Sequence, residues 1–333
     1  IYNIYTVGSD VDSRHKAKAV RELGEKKAAI AVADLIENLD DPSADVREEA
    51  AAALGSIGAP EAVDALISEL DDPHSDLGPE IARALRRSKD TRVVEPLIRK
   101  LADPDQETRA ESARTLGTVG DRRASVPLLR LLQISHDAKT VSASSEALSR
   151  LGELAAIYEI LPRMKATGNP VLKRSLAVAV GDLLGEPDEF YRVLGREAKT
   201  RGKEAGSLLA DLSHAIRDAT EERYSSEGKA LCDRISRIRT AYEDGDLNAC
   251  SEHLFDAAFT LAALAYGVEY GPDARAAVQD IIWRDQRFGI GLWFLDMLRN
   301  EWEGSALGAR DDTDILLGIY FIGSQGTQKA KRL

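Results

Sequence analysis

The apolar residues of the first half of the chain recur at the spacing of amphipathic helices. In the segment APEAVDALISELDDP (59–73), positions 62, 63, 66, 67 and 70 are apolar and fall on one face of a helix. That helix must end at the closing Asp-Asp-Pro, because proline cannot continue a helix. In residues 43–58, positions 46, 50, 53, 54 and 57 form a second stripe, which Ser43 or Asp45 could cap. The pattern predicts pairs of helices joined by short turns.

This pair of helices repeats along the chain. Pro42, Pro73 and Pro104 follow one another at intervals of 31 residues. Leu-Gly pairs begin at positions 23, 54, 116, 151 and 184, and Leu85 is followed by an arginine in place of the glycine. A helical hairpin of this size cannot bury its own apolar stripe, so it must stack on its neighbours. The sequence therefore predicts an all-α fold in which residues 1–185 form an α-solenoid.

The repeated segments carry a family resemblance. LDDPSADVREEAAAALGSIG (39–58) and LADPDQETRAESARTLGTVG (101–120) resemble the HEAT repeats of the phycobilisome-lyase type, and the resemblance extends over about residues 11–185. It implies an armadillo-like superhelix of helical hairpins. It also implies that the second helix of each hairpin lines a concave face, where such folds usually hold a partner peptide or helix.

The same resemblance implies a structural ladder between repeats. Arg47 and Arg109 stand five residues after their prolines, where these repeats place an arginine that contacts an aspartate of the neighbouring repeat. We expect Asp41, Asp72 and Asp103 to act as the acceptors and to cap the loops.

The middle repeat departs from this pattern. Gly78 takes the place of the arginine, and Pro79 follows it directly. Because glycine loosens a helix and proline interrupts one, we expect the second helix of this repeat to be shortened or kinked. A local change of curvature near residues 76–88 would follow.

Two further segments, 9–25 and 157–185, are similar to the soluble HEAT region that follows the last transmembrane helix of some bacterial major-facilitator-type transporters. The chain begins at Ile1 rather than at a methionine, in the middle of a repeat. The similarity therefore leads us to expect a piece of a longer protein, the cytosolic regulatory domain of a membrane transporter.

The second half of the chain loses the repeat but keeps helical patterns. Tyr158 is the first aromatic residue after Tyr5, and all three tryptophans lie beyond residue 280. We predict an irregular, aromatic-cored helical cap over residues 186–303, and a partly disordered tail over residues 304–333. The predicted helices of the cap span residues 188–200, 204–219, 222–243, 247–267, 273–284 and 287–302.

Charge and cysteine content narrow the function classes. The 333 residues include 44 Lys+Arg and 56 Asp+Glu, a net charge of -12, which disfavours nucleic acid as a partner. A local basic cluster near residues 173–203 is the main exception. Two cysteines, Cys232 and Cys250, cannot build a disulfide framework, which favours a reducing compartment. We expect a cytoplasmic location, at the inner face of the membrane if the transporter similarity holds.

Catalytic and cofactor motifs are not recognisable in the sequence. The chain lacks the His-Glu dipeptides that iron-binding HEAT enzymes resembling deoxyhypusine hydroxylase require. Cys250 and His253 have the spacing of metal ligands, but two further ligands are missing, so a buried thiol beside a surface histidine is the simpler interpretation. No glycine-rich phosphate loop and no Gly-x-Ser-x-Gly elbow occur. We predict no enzymatic activity, no metal and no cofactor.

The repeat does provide a candidate surface. Counting five residues back from each leucine of the Leu-Gly series gives a glutamate in four successive repeats, and in two repeats an arginine follows three residues later. Because equivalent positions of a solenoid align, these residues predict a partner-binding ridge on the concave side. A solvated face with weak i, i+3 ion pairs is the competing interpretation. The ridge comprises Glu49, Glu80, Arg83, Glu111, Arg114 and Glu146.

The leading hypothesis is a non-enzymatic scaffold that binds an unidentified protein partner. A bilin lyase or isomerase-like subunit is an alternative that the repeat type alone suggests. A third is small-molecule sensing in the aromatic region of the second half, although rings at this spacing more often form core. The residues of that pocket would be Trp283, Phe288, Trp293, Phe294 and Trp302.

Overall fold

A computed structural model describes residues 13–88, 90–185, 198–220, 225–268, 274–304 and 311–332. Within these ranges every regular element is helical, and there are seventeen α-helices and five short 3₁₀ helices. The predicted all-α class is therefore confirmed. The chain divides into two compact units, Ile1–Glu159 and Ile160–Leu333.

The first unit is a stack of helical hairpins. The second helices of successive hairpins, α1, α3, α5, α7 and α9, each pack against the next one, and a first helix of 6 to 12 residues precedes each of the last four. Their bounds are α1 Ser13–Glu25, α2 Val32–Glu37, α3 Ala44–Ile57, α4 Pro60–Asp71, α5 Gly78–Leu85, α6 Val94–Lys100, α7 Gln106–Val119, α8 Ser125–Ile134 and α9 Ala138–Leu151.

Local signals in the sequence set the ends of these helices. Helices α3, α7 and α9 contain 14 residues each and end at Gly58, Gly120 and Gly152, which adopt the left-handed conformation. Asp105 and Asp137 cap the N-termini of α7 and α9, because their carboxylates accept hydrogen bonds from the backbone N–H three residues later. The three long helices therefore align position by position.

This alignment corrects the spacing that the sequence suggested for the last repeat. Gly152 corresponds to the helix-ending Gly120, whereas Ser149 corresponds to Gly117 of the Leu-Gly series. The Leu-Gly pair at 151–152 is therefore not equivalent to the pair at 116–117. A glycine after a leucine can end a helix or allow close packing, and the sequence alone does not separate the two roles.

The middle repeat has the predicted irregularity. Helix α5 begins at Gly78 with Pro79 in its first turn, and it contains 8 residues instead of 14. The prediction of a shortened second helix is confirmed, and the change of curvature stays a prediction.

The second unit is also helical but has no repeat. Most of its predicted helices agree with the structure to within a few residues. The predicted break at residues 201–203 is wrong, because these residues lie inside one continuous helix, Ala198–Ala219. Residues 188–197 lie outside the described part. The bounds are α10 Ile157–Ala166, α11 Pro170–Leu184, α12 Ala198–Ala219, α13 Ser226–Glu243, α14 Leu247–Tyr266, α15 Ala274–Arg284, α16 Gln286–Gly304 and α17 Asp312–Ala330.

Helix α17 lies at the centre of this unit. It packs against α11, α12, α14 and α16, and residues 314–326 are almost entirely buried. Gln325 Nε2 donates a hydrogen bond to the carbonyl of Leu184 at 2.6 Å, which ties α17 to the end of α11. The expectation of a partly disordered tail is therefore wrong for residues 312–330. The predicted boundary near residue 185 also differs from the observed division, because α11 packs within the second unit.

Candidate functional site

The predicted ridge is a column of three glutamates rather than four. Glu49 and Glu111 are each the sixth residue of a 14-residue helix, and Glu80 stands one period from both. The sixth residue of α9 is Ala143, whereas Glu146 is the ninth and corresponds to Arg114. The difference arises from the shifted register of the last repeat.

Glu111 is an internal counter-ion. Its residue is 6% exposed, and its carboxylate contacts the guanidinium groups of Arg86, Arg114 and Arg83. Arg114 NH1 lies 2.7 Å from Glu111 Oε1, and Arg83 Nε lies 3.6 Å from Oε2. Glu111 thus joins α5 to α7. A carboxylate enclosed in this way offers little surface to a partner, so its position differs from the predicted role in a partner-binding ridge.

The two outer glutamates of the predicted ridge form pairs at the surface. Arg21 Nε donates to Glu49 Oε1 at 3.0 Å, and Arg150 NH2 lies 2.6 Å from Glu146 Oε1. Arg114 Nε is 3.8 Å from the other oxygen of Glu146. Such solvated pairs contribute little to stability, typically about 0–1 kcal/mol each.

Glu80 is in a different environment. Burial raises the pKa of its carboxyl group, and the nearby carboxylates of Glu48 and Asp76 raise it further. Within the described part of the chain, neither Glu80 nor Glu48 has an ion-pair partner within 4 Å. These two carboxylates therefore add negative charge without a close ion pair, and the more distant charge of Arg83 partly offsets that of Glu80.

Two polar clefts meet at Glu48 and Glu80. The smaller one, of about 260 Å³, also contacts Glu49, Arg83 and Arg87. The larger one, of about 460 Å³, lies at the start of α5, and we call it the Gly78 cleft. Among the described residues, Lys100 is the one basic residue that lines it. Its carboxylates are Glu48, Asp72, Asp76, Glu80, Asp103, Asp105 and Glu107.

Three of these carboxylates have cationic partners. Asp76 Oδ2 lies 2.6 Å from Arg47 NH2, and Glu107 Oε2 lies 2.5 Å from Lys139 Nζ. Asp103 Oδ2 lies 3.2 Å from Lys100 Nζ. The cleft is strongly acidic even after these pairs are counted. Sequence reasoning missed it, although the Gly78-Pro79 irregularity marked its location.

Arg47 links two repeats through both ends of its guanidinium. NH1 donates to the carbonyls of Asp41 and Pro42 at 2.9 and 3.2 Å, within its own repeat. NH2 donates to Asp76 Oδ2 of the next repeat at 2.6 Å.

Arg109 makes the same set of bonds. NH1 donates to the carbonyls of Asp103 and Pro104, each at 2.9 Å, and NH2 donates to Asp137 Oδ2 at 3.0 Å. Lys16, one period before Arg47, reaches Asp41 Oδ2 at 2.6 Å. We refer to Lys16, Arg47 and Arg109 with their acceptors as the arginine ladder.

The acceptors of the arginine ladder differ from the expected ones. Asp76 and Asp137 supply the carboxylates for the two arginines. Asp72 and Asp103 instead cap their turns, since each accepts a hydrogen bond from the backbone N–H two residues later, at 2.8 and 3.0 Å. Asp41 combines both roles, because its carboxylate binds Lys16 and also accepts from Ser43 N at 2.8 Å.

The described aromatic residues of the proposed ligand pocket differ in their surroundings. Phe288 and Phe294 are buried core residues, whereas the side chain of Trp283 is 85% exposed. Trp293 lines a cleft of about 540 Å³ between α15 and α16, together with Arg275 and Asp296. The side chain of Trp302 lies outside the described part.

The basic cluster near residues 173–203 is used inside the second unit. Lys173 Nζ lies 2.6 Å from Asp311 Oδ2, and Arg201 NH1 lies 2.7 Å from Asp312 Oδ2. Their partners stand at the start of α17, so these cations fix that helix in place. Arg196 and the side chain of Lys199 lie outside the described residues.

Cys250 is fully buried, and burial raises its thiol pKa to about 12. A thiol in this state is a poor nucleophile and a poor metal ligand. Among the described residues, no group of three or more His, Cys, Asp and Glu is arranged to hold a metal ion. Nor does any helix in the described ranges combine the length and apolarity needed to cross a membrane.

Comparison with known families identifies the repeat. A family model of HEAT repeats matches residues 7–86, 64–149 and 94–181. The chain belongs to the HEAT-repeat family. The predicted α-solenoid of HEAT-like hairpins is thereby confirmed. No curated protein matches the sequence.

Several solved structures are similar to this chain. The complex of CpcE and CpcF of phycocyanin lyase from Nostoc sp. PCC7120 is 23% identical and covers 67% of this chain and 94% of its own, with a TM-score of 0.43. A designed armadillo repeat protein is 17% identical over 55% of this chain and 98% of its own, with a TM-score of 0.38. Importin beta is 12% identical over 96% of this chain and 46% of its own, with a TM-score of 0.43.

Proposed function

We propose that this protein is a non-enzymatic scaffold that binds a basic segment of a protein partner at the acidic surface around Glu48 and Glu80. The observation that carries the proposal is the charge of the Gly78 cleft, which has seven carboxylates and one lysine among its lining residues. The HEAT-repeat fold supports it, since solenoids use extended faces of this kind to bind proteins.

The electrostatics favour a cationic ligand. Crowded carboxylates raise the free energy of the unbound state, and a bound cation lowers it most where the groups are partly desolvated. Glu80 meets this condition, because it is half-buried and its pKa is raised. A cationic partner segment would also be steered to the surface by the net charge of -12.

Fluorescence anisotropy with labelled peptides tests the proposal. We expect the peptides (Arg-Gly-Ser)₄ and (Lys-Gly-Ser)₄ to bind at low salt, and (Glu-Gly-Ser)₄ not to bind. The double variant Glu48→Gln/Glu80→Gln should weaken both basic peptides about tenfold, which corresponds to about 1.4 kcal/mol.

The matched control removes two carboxylates from the first helices of the hairpins. Asp64 and Glu95 are exposed and pair with Arg92 and Arg123, away from both clefts. The variant Asp64→Asn/Glu95→Gln should bind as the wild type does. The proposal fails if neither basic peptide binds, or if the two double variants bind the basic peptides with equal affinity.

More specific roles remain hypotheses. A cytosolic transporter domain would require the chain to continue into transmembrane helices, which the full reading frame would show. A bilin lyase subunit would change the absorbance of a bilin in the presence of an acceptor protein. Small-molecule sensing would change the fluorescence of Trp293 on titration with a metabolite panel.

A further inference from the structure

We propose that the Gly78 cleft binds the guanidinium of an arginine side chain from a partner protein, at the position that Arg47 and Arg109 fill in the flanking repeats. This inference rests on the proposed function and specifies its chemistry. It follows from the interruption of the arginine ladder at Gly78, where the chain supplies the acceptors but no arginine of its own.

The two complete rungs define what a guanidinium needs here. In both, one nitrogen donates to the carbonyls of an Asp-Pro pair, and the other donates to a carboxylate of the next repeat. The donor–acceptor distances lie between 2.6 and 3.2 Å, so each arginine makes three charge-assisted hydrogen bonds. The same structure thus shows twice that this arrangement binds a guanidinium.

The middle repeat retains the first part of that arrangement. Asp72 and Pro73 stand one period after Asp41 and Pro42, whose carbonyls accept from Arg47. They stand one period before Asp103 and Pro104, whose carbonyls accept from Arg109. Asp72 and Gly78 both line the cleft. The Asp-Pro turn is therefore present beside the cleft, without an arginine side chain from its own repeat. The Asp72 carbonyl accepts from Ser75 N–H at 3.3 Å, and its second lone pair can accept another hydrogen bond.

The carboxylate part is also retained. The carboxylate acceptors of the arginine ladder occupy three loop positions. Asp41 binds Lys16, and Asp76 and Asp137 bind the two arginines. The loop that follows α6 has a carboxylate at each of the three. Asp103 stands two periods after Asp41, and Glu107 stands one period after Asp76. Asp105 corresponds to Asp137, since each caps the N-terminus of its helix. All three line the cleft.

The local packing explains why the chain does not complete this rung itself. A Cβ atom built on Gly78 would lie 2.7 Å from the Oγ1 atom of Thr108, so no side chain can leave the backbone there without displacing that residue. The Thr108 hydroxyl is held in place, because it donates to Asp105 Oδ2 at 2.8 Å. An arginine could reach the acceptors only from outside.

Asp105 is the central acceptor. Burial raises the pKa of its carboxyl group, but the hydrogen bonds from Thr108 and the Glu107 backbone, together with the charge of Arg109, outweigh burial and lower it, so the group stays ionised at neutral pH. Lys100 lies in the cleft but is bonded to Asp103. A planar guanidinium can meet carbonyl and carboxylate acceptors at once, which a single ammonium group does less well.

The test compares arginine with lysine in the peptides of the binding assay. We expect wild-type protein to bind (Arg-Gly-Ser)₄ about tenfold more tightly than (Lys-Gly-Ser)₄. The variant Asp105→Asn should remove that preference by weakening the arginine peptide about tenfold, and it should leave the lysine peptide nearly unchanged. Asparagine is as good an N-cap as aspartate, so α7 should keep its start.

Asp121→Asn is the matched control. Asp121 caps a 3₁₀ helix outside the cleft through a hydrogen bond from Arg123 N, and its change to asparagine should preserve the arginine preference. If Asp105→Asn unfolds, Glu107→Gln provides the same readout. Equal binding of the two basic peptides, or an arginine preference that survives both cleft variants, overturns this inference and leaves the proposed function intact. Absence of binding by both peptides overturns the proposed function itself.

Discussion

Gly117 and Ala147 bring the backbones of α7 and α9 into close contact. A Cβ atom built on Gly117 would lie 2.6 Å from the Cα atom of Ala147, closer than any ordinary contact between such atoms. The glycine therefore sets the distance between two neighbouring repeats, because the stack can be this tight only where one helix carries no side chain.

We expect Gly117→Ala to lower the free energy of unfolding of the first unit by about 1–3 kcal/mol. The added methyl group must push the helices apart, and this cost exceeds the gain in helix propensity of about 1 kcal/mol. Urea titration followed by circular dichroism would measure the change. Gly202→Ala is the control, since Gly202 lies in helix α12 and has nothing within 4 Å of its position. It should raise stability slightly, and a similar gain in Gly117→Ala would contradict the packing argument.

The three arginines around Glu111 predict a large effect of a small substitution. Glu111→Gln keeps the size of the side chain but leaves Arg83, Arg86 and Arg114 without their shared carboxylate. We expect a loss of about 3 kcal/mol in the free energy of unfolding, because removing one partner of a buried ion pair leaves uncompensated charge. Glu146→Gln should change stability by less than about 1 kcal/mol. Equal losses of stability in Glu111→Gln and Glu146→Gln would show that Glu111 has no special role as a buried counter-ion.

The stability of the second unit should depend on pH through Asp311. Burial raises the pKa of this carboxyl group, but the hydrogen bond and charge of Lys173 outweigh burial and lower it. A carboxyl group with a lowered pKa in the folded state contributes stability above its unfolded pKa and loses it as pH falls through the folded value. Asp311→Asn should therefore be less stable than wild type at neutral pH, and the difference should shrink as pH falls through the range in which this carboxyl group takes up its proton.

Thermal unfolding between pH 7 and pH 2.5 would measure that difference. Its size should be about 1 kcal/mol or less, because Asp311 is partly exposed. Asp280→Asn serves as the control, since Asp280 forms an exposed i, i+4 pair with Arg284. A difference in stability between Asp311→Asn and wild type that stays constant over this pH range would contradict the predicted coupling between protonation of Asp311 and folding.

Binding of a basic peptide should also depend on pH, through Glu80. Its raised pKa means that Glu80 takes up a proton at a higher pH than an ordinary glutamate, and the neutral form no longer attracts a cation. We expect the affinity for (Arg-Gly-Ser)₄ to fall on acidification earlier in wild type than in Glu80→Gln. Anisotropy titrations at constant ionic strength would show this, and identical pH profiles would exclude a contribution from Glu80.

The helical elements were largely predictable because their ends depend on local chemistry. Proline after an Asp-Asp pair and left-handed glycines mark the helix ends of the first unit, and no tertiary contact is needed to recognise them. In the second unit the same signals predicted helices at 247–267 and 273–284, which the structure gives as Leu247–Tyr266 and Ala274–Arg284.

The features that were missed depend on contacts between distant residues. Glu111 has the sequence context of a surface residue, and its burial follows from two arginines of the preceding repeat. The polar end of α17 resembles a disordered tail, yet Gln325 is buried because the carbonyl of Leu184 accepts its amide hydrogen. The Gly78 cleft forms only where the loops before α5 and α7 lie side by side.

The position of helix α17 has a consequence for how the two units fold. In the first unit, bonded partners such as Arg47 and Asp76 are about one repeat apart in sequence, so each repeat can form on the preceding one. In the second unit, Lys173 must meet Asp311 and Leu184 must meet Gln325, across separations of 138 and 141 residues. Contacts between residues so far apart in the sequence form slowly. During synthesis the repeats can therefore assemble progressively, whereas the second unit must wait until residues 312–330 have left the ribosome.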